Sequence, residues 1–376
     1  MLTGGSDGLY RALLAGPHKP TTRVEVWSEG VRVDDYGDPG VPITSGSVQA
    51  TLVSRVARTV QLTLTPDLFP DGPGDLLYPD GNYLKIFKGV YGYGGPSYEW
   101  QVFYGRINSS VLNSSGSFVL NAVDLAGDIA GALFPTPRKS NIDQFVTTQF
   151  IELVKEALAD ATFGTFDTTY ARTPNLLWQV DRSAACDQLA TAANMYWYTL
   201  ADGSFVMRTI AWDTDAPSLL TLTDASGGTL VNWTYGFNRA GVYNNIYVVG
   251  ERADGTTPVY GSASDGDPTS PTYIGGKFGV QSQQVNVQTV SSASQAQQVA
   301  RSYLRQSRAL TQTWTANCIP DASLELGDAL TLVGHLPSGV ARTSSTQVIS
   351  GYTLPLTGVD GTMNISFRAQ QPGVTG

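Results

Sequence analysis

The stretch Leu68-Phe69-Pro70-Asp71-Gly72-Pro73-Gly74-Asp75-Leu76-Leu77-Tyr78-Pro79-Asp80-Gly81 runs directly into Tyr83-Leu84-Lys85-Ile86-Phe87-Lys88-Gly89-Val90. Its prolines and glycines exclude helix and central strand, so the first part is an ordered surface loop. The second part reads as a strand. After the glycine loop Gly89 to Gly95, Trp100 to Ile107 alternates with a period of two, and Ser110 to Asp124 forms a hairpin about Asn113-Ser114-Ser115-Gly116. Upstream, Val24, Val26, Val31 and Val33 flank a Ser28-Glu29-Gly30 turn. Val48 to Thr65, with Val53, Val56, Val60, Leu62 and Leu64, is two further strands or one long bent strand. Six or so strands with tight turns predict an antiparallel barrel or sandwich over about residues 20–130.

The period then changes. Asn141 to Asp160 places Val146, Phe150, Val154, Ala157 and Leu158 on one helical face behind an Asn141-x-x-Gln144 capping pattern. Asp181 to Ala193 predicts a second helix, and Met195 to Leu200 with Phe205 to Ile210 a hairpin about Asp202-Gly203. Strands return at Val231 to Trp233, Asn245 to Gly250, Thr311 to Cys318, Ala329 to Val333, Gln347 to Leu354 and Thr362 to Ala369. Ser292-x-x-Gln295 caps a helix reaching about Arg308, with Ala296, Val299, Ala300, Tyr303 and Leu304 as its apolar stripe. Ala253 to Gly279, rich in Gly, Ser, Thr and Pro, reads as a long loop that is functional or meets a neighbour. The fold class is mainly β with α+β inserts. The divisions expected are 1–135, a first barrel with an N-terminal arm; 136–235, a smaller α/β insert; and 236–376, a second barrel.

Composition bears on function. The 376 residues include 40 Gly and 20 Pro, and only 15% are charged against a typical ~25%, so the polar surface is built from Ser, Thr, Asn and Gln. Such a surface suits contact with other proteins. A net charge of -9 gives no pull toward phosphate backbones or anionic lipid. No apolar run approaches the ~20 residues of a membrane helix. The start of the chain lacks the pattern of a signal peptide, so the expectation is a soluble chain folded in a cytoplasm.

Chemical motifs are sparse. Cys186 and Cys318 lie in apolar segments and read as buried reduced thiols, and with His18 and His335 the only histidines, local spacing assembles no metal cluster. Gly4, Ser6 and Gly8 spell a hydrolase elbow, but without a strand before it or a helix cap after it they read as a polar tail. Glycines 89–95 and 275–279 lack the setting of a phosphate cradle and read as turns. Asp34, Asp35 and Asp38, Asp71 and Asp75, and Asp265 and Asp267 lack a calcium-loop pattern and read as solvated loop carboxylates. A glycosidase carboxyl pair is disfavoured because Glu is scarce and scattered. The aromatics Tyr91, Tyr93, Tyr98, Trp100, Phe103 and Tyr104 suggest sugar stacking; the weightier reading is that some line the core and others meet a partner, and the same holds for Tyr196, Trp197 and Tyr198. No catalytic, cofactor or metal residue is assigned; the candidate interface residues are Tyr91, Tyr93 and Tyr98.

In order and wording these segments resemble the tail-hub proteins of tailed bacteriophages, the minor tail proteins of long-tailed phages, which are similar to hubs of contractile tails. The 68–81 loop leading to Tyr83–Val90 and then Phe103-Tyr104-Gly105-Arg106-Ile107 resembles their first barrel, and Ala122-Val123-Asp124 their strand-then-Asp step. Trp178 to Arg208 resembles the insert, and Asn244 to Gly250 the opening strand of the second barrel. Ser292 to Leu310, Leu324-Glu325-Leu326-Gly327-Asp328, Tyr352 to Leu356 and Gly361-Thr362-Met363 resemble its remainder, with Leu-Gly-Asp where the family has Pro-Gly-Asp. The resemblance covers about Arg23 to Ala369 and shows no attached peptidase or lysozyme-like module, so no enzyme is expected.

What the resemblance implies is a homotrimer whose two barrels per chain give a pseudo-sixfold ring at the tail tip of a virion, assembled in the host cytoplasm. Its partners would be the distal tail ring, tail tube and tape-measure protein on one side and tip or fibre proteins on the other, with DNA passing through the lumen unbound. The rival readings are a carbohydrate- or receptor-binding tail protein and, less favoured, a cell-wall hydrolase.

Overall fold

The fold is taken from a computed structural model, described here for residues 2–369 except 3, 4, 6, 38, 39, 53, 94, 115, 210–216, 238, 251–257, 288, 289, 291, 309–311, 345, 359 and 360. Val53, Asp38, Ser115, Ile210, Leu310 and most of the Gly4–Ser6 string therefore lie outside the described residues.

The chain opens with a helix where a polar tail was expected. Asp7 accepts the Leu9 amide at 2.9 Å and caps α1 (Gly8–Ala15), which buries Tyr10 and Leu14. The missed signal is the Tyr10–Leu14 pair, one turn apart on one face. β1 (His18–Ser28) and β2 (Val31–Arg32) form the expected hairpin, its turn made by Glu29 and Gly30, both at positive φ. Val48 to Thr65 resolves into two strands, β3 (Ile43–Thr51) and β4 (Arg58–Leu64). β5 (Tyr83–Gly92), β6 (Ser97–Leu112) and β7 (Phe118–Asp124) complete an antiparallel set ordered β3-β4-β7-β6-β5-β1-β2. Strict alternation in β4 and β7 sends Val60, Leu62, Leu64, Phe118, Leu120 and Ala122 into one core.

The middle builds a separate core. It holds α2 (Ala126–Gly131), β8 (Arg138–Lys139), α3 (Val146–Ala157), β9 (Leu177–Trp178), α4 (Arg182–Ala192), β10 (Tyr196–Thr199) and β11 (Phe205–Arg208). α3 begins later than its capping pattern suggests. Asn141 is spent in a turn, accepting the Asp143 amide on its side chain at 3.1 Å, and Phe145 precedes the helix without a side-chain cap. α4 is capped by Asp181, which accepts from Ala184 at 2.9 Å.

The last third adds β12 (Leu220–Thr223), β13 (Leu230–Phe237), β14 (Asn245–Gly250), β15 (Val259–Ser264), β16 (Ser282–Val287), α5 (Ala293–Arg308), β17 (Gln312–Cys318), β18 (Ala329–His335), β19 (Ala341–Thr343), β20 (Gln347–Pro355) and β21 (Met363–Ala369). β15 lies inside the segment expected to be a loop. β14, β15 and β16 form a small sheet against α5, whose Ala296, Val299, Ala300 and Leu304 meet Ile246 and Val248.

The long-range result is one sheet shared by both ends of the chain. β3 pairs with β20, Ala50 opposite Tyr352 and Val48 opposite Leu354, and the ladder continues through β21 and β17 to β13. The protein is mainly β, with antiparallel pairing dominant, as expected. Among the described residues this ladder is open and no closed barrel is formed: its ends are β13 on one side and β1 with β2 on the other.

Candidate functional site: the seam and the free surfaces of the shared sheet

Where the two ends of the chain meet, charged groups are buried. Arg58 at the start of β4 is wholly enclosed; its guanidinium pairs with Glu325, before β18, and donates to the Thr199 carbonyl of β10. Asp124, ending β7, accepts from the Arg58 amide at 2.7 Å, the Thr199 hydroxyl at 2.6 Å and the Ala126 amide at 3.1 Å. Three regions distant in sequence are thus tied at one point. Burial pushes the Asp124 carboxyl up to about 6, against the pull of Thr199 and the Arg58 amide. Burial likewise raises Glu325, with Arg58 pulling it back. Tyr352 beside them is pushed up to about 12 by the same enclosure.

Two further ties cross the seam. Buried Lys88 donates to the Leu356 carbonyl at 2.7 Å, and the Leu356 amide donates to Gly46 at 2.8 Å. The N-terminal arm reaches the loop before β18: Tyr10 donates to Asp321 at 2.7 Å, Arg11 pairs with Asp321 and reaches the Ser323 hydroxyl at 2.9 Å, and the Leu2 amide donates to the Ser323 carbonyl at 2.8 Å. The resemblance pointed to Leu324–Asp328 as a family string; its Glu325 is the buried carboxyl that faces Arg58, which no local pattern announces.

The three interface candidates separate. Tyr93 at the β5–β6 turn is 77% exposed and Tyr91 48%, so both are open to a partner. Tyr98 is occupied within the chain: it stacks on Trp100, its ring meets Tyr10, and its hydroxyl donates to Asp7 at 2.8 Å. Val90 packs under α1 while Tyr91, next along the strand, faces away from the helix. Tyr198 is core, Trp197 donates to Asp187 at 2.7 Å, and Tyr196 accepts from Gln306 at 2.8 Å.

The loop carboxylates are mostly engaged. Asp75 accepts the Asp71 and Gly72 amides, and Asp34 pairs with Arg32. Asp265 is buried, where it holds Arg308 at 3.1 Å, Ser270 at 2.6 Å and Thr272 at 2.5 Å. Among the described residues no group of three or more His, Cys, Asp or Glu is placed to hold a metal ion. Cys186 and Cys318 are buried free thiols, raised by that burial. A cleft of about 1140 Å³ lies between the first sheet and the insert, with Glu29, Asp80, Asp160 and Asp202 against Lys85, Tyr83 and Tyr104.

No protein-family model matches the sequence, and no curated protein matches it either. Solved structures do match in fold. A tail protein from Neisseria meningitidis aligns with a TM-score of 0.64 at 13% identity, over 93% of this chain and 96% of that one. The 43 kDa tail protein of prophage MuSo2 from Shewanella oneidensis gives 0.60 at 12% identity, over 93% and 98%. A prophage tail protein from Listeria monocytogenes gives 0.50 at 10% identity, over 92% and 94%. The chain therefore has, over nearly its whole length, the fold of phage tail proteins that its sequence resembles.

Proposed function

We propose that this protein is a structural, non-enzymatic hub at the distal tip of a phage tail, three copies forming a ring that adapts the sixfold tail tube and distal tail ring to threefold tip or fibre proteins. The observation that carries the reading is the shared sheet with two unlike open ends. Among the described residues β13 pairs as a strand with β17 alone, and the backbone of β1 is paired beyond its β5 side only near Val24–Ser28, by Val31, Arg32, Val33, Gly40 and Val41. Unlike edges on one chain favour head-to-tail contacts, which close into rings when the rotation allows.

On this reading residues 1–135 and 236–376 are two related barrel-like lobes and 136–235 the insert between them. Three chains then present six lobes to a sixfold ring without a change in subunit number. Tyr91 and Tyr93 belong to the surface that meets a neighbouring protein. The net charge of -9 suits a lumen along which DNA slides without sticking. Light scattering of the purified chain, alone and with the distal tail protein, tests the subunit count: three copies in a closed ring are expected, and a species of one, two or six copies in both conditions contradicts the proposal.

A further inference from the structure

The small sheet ordered β15-β14-β16 has two edges of different construction. The β15 edge is sealed from within. Gln297 on α5 donates from Nε2 to the Ser262 carbonyl at 2.5 Å and accepts the Ser262 amide on Oε1 at 3.3 Å, so one side-chain amide stands where a neighbouring strand would be. This is one way a fold blocks unwanted strand addition.

The β16 edge has no such cover. Ser262 stands opposite Tyr247, and since its backbone groups turn outward to Gln297, those of Tyr247 turn the other way, toward β16. Tyr247 is level with Gln284 in the parallel ladder, and its bonds reach the flanking Gln283 and Val285. Gln284 is left with its N–H and C=O directed away from the sheet, as are Ser282 and Asn286 two residues to either side. Among the described residues no other strand and no loop backbone pairs with them. The strand carries no Lys, no Pro and no register shift, the usual protections of a free edge.

We propose that β16 is a strand-acceptor edge, filled in the assembled tail by an extended segment of another tail protein. A row of outward amides and carbonyls at every second residue is matched in full only by a second extended backbone. The exposed face beside it, formed by Tyr247, Tyr260, Ser262, Gln284 and Asn286, holds no carboxylate, ammonium or guanidinium group, so the added strand is uncharged along this contact. A second copy of β16 is the lesser candidate, because antiparallel self-pairing imposes a twofold axis that a threefold ring lacks. That choice of partner rests on the hub reading; the acceptor edge itself does not.

The test is residue-resolved hydrogen exchange on the full chain, with and without a millimolar acetylated hexapeptide of alternating Thr and Val as probe. Exchange of the Ser282, Gln284 and Asn286 amides is expected to slow about tenfold with the peptide, while Gln283 and Val285 stay slow throughout. Gln284→Pro, tolerated where the N–H points off the sheet, removes the effect and leaves the melting midpoint unchanged. Protection that appears without peptide and rises with protein concentration overturns the choice of a different protein in favour of self-pairing. Unchanged exchange under both conditions overturns the acceptor edge, whatever the subunit count of the ring.

Discussion

Replacing Arg58 by Met removes the guanidinium that pairs with Glu325 and keeps a side chain of similar length. Arg58 is fully enclosed and the Glu325 side chain is only 9% exposed, so the carboxylate left behind loses its paired guanidinium and is largely shut off from water. Breaking a buried pair from one side costs about 3–5 kcal/mol. For a chain of 376 residues, with about 2.1 cal/mol/K of unfolding entropy per residue, that lowers the melting midpoint by about 4–6 °C. Adding Glu325→Met removes the stranded charge, and an apolar pair is close to neutral against the original, so the double variant should recover at least about 2 kcal/mol. Guanidinium unfolding followed by tryptophan fluorescence reads both steps. The R58M loss should also shrink as pH falls, because a Glu325 freed of Arg58 takes up a proton more readily. A single variant within about 1 kcal/mol of the parent, or a double variant no better than the single, would refute the claim that this pair holds the seam.

Asp124 gives a pH signature. Its folded carboxyl titrates at about 6 against an ordinary 3.8, so stability from this group is present in full below the ordinary value and is lost as pH rises through about 6. From pH 7 to pH 4 it should add on the order of 2 kcal/mol, and the parent minus Asp124→Asn difference in stability, measured across that range, isolates it; a flat difference refutes the assignment. Gly261→Val should unseat α5, because a Cβ at Gly261 runs into the Ala296 backbone; loss of about 3 kcal/mol or more in the same unfolding assay is expected, and a neutral outcome denies the close packing. Tyr91→Ala with Tyr93→Ala should leave stability within about 0.5 kcal/mol, since both rings are exposed, while incorporation into tails falls; unimpaired incorporation removes both residues from the interface.

Local signals carried much of the fold. Alternation placed β4, β5, β7, β14 and β20, and the Ser292-x-x-Gln295 pattern located α5, where the Gln295 amide donates to Ser292 Oγ at 3.2 Å. Asp202-Gly203 marked the β10–β11 hairpin because Gly203 supplies the positive φ that the turn requires. The pairing of β3 with β20 was illegible, since two strands about 300 residues apart leave no periodic trace of each other. The same distance hid Arg58–Glu325. α1 was missed because its short apolar stripe sits between glycines, and its stability comes from Tyr98, Trp100 and Asp321 far along the chain. Tyr91, Tyr93 and Tyr98 looked alike as aromatics in one loop region; only the packing of α1 shows that Tyr98 serves the interior contact.

The number of copies and their arrangement in the tail decide whether this protein is a threefold hub. Averaged cryo-electron images of tails that carry this protein, resolved well enough to trace β13 and β1, should show three chains closed edge to edge with six lobes around the axis. Six chains, a single chain off the axis, or three chains whose sheets do not meet would contradict it.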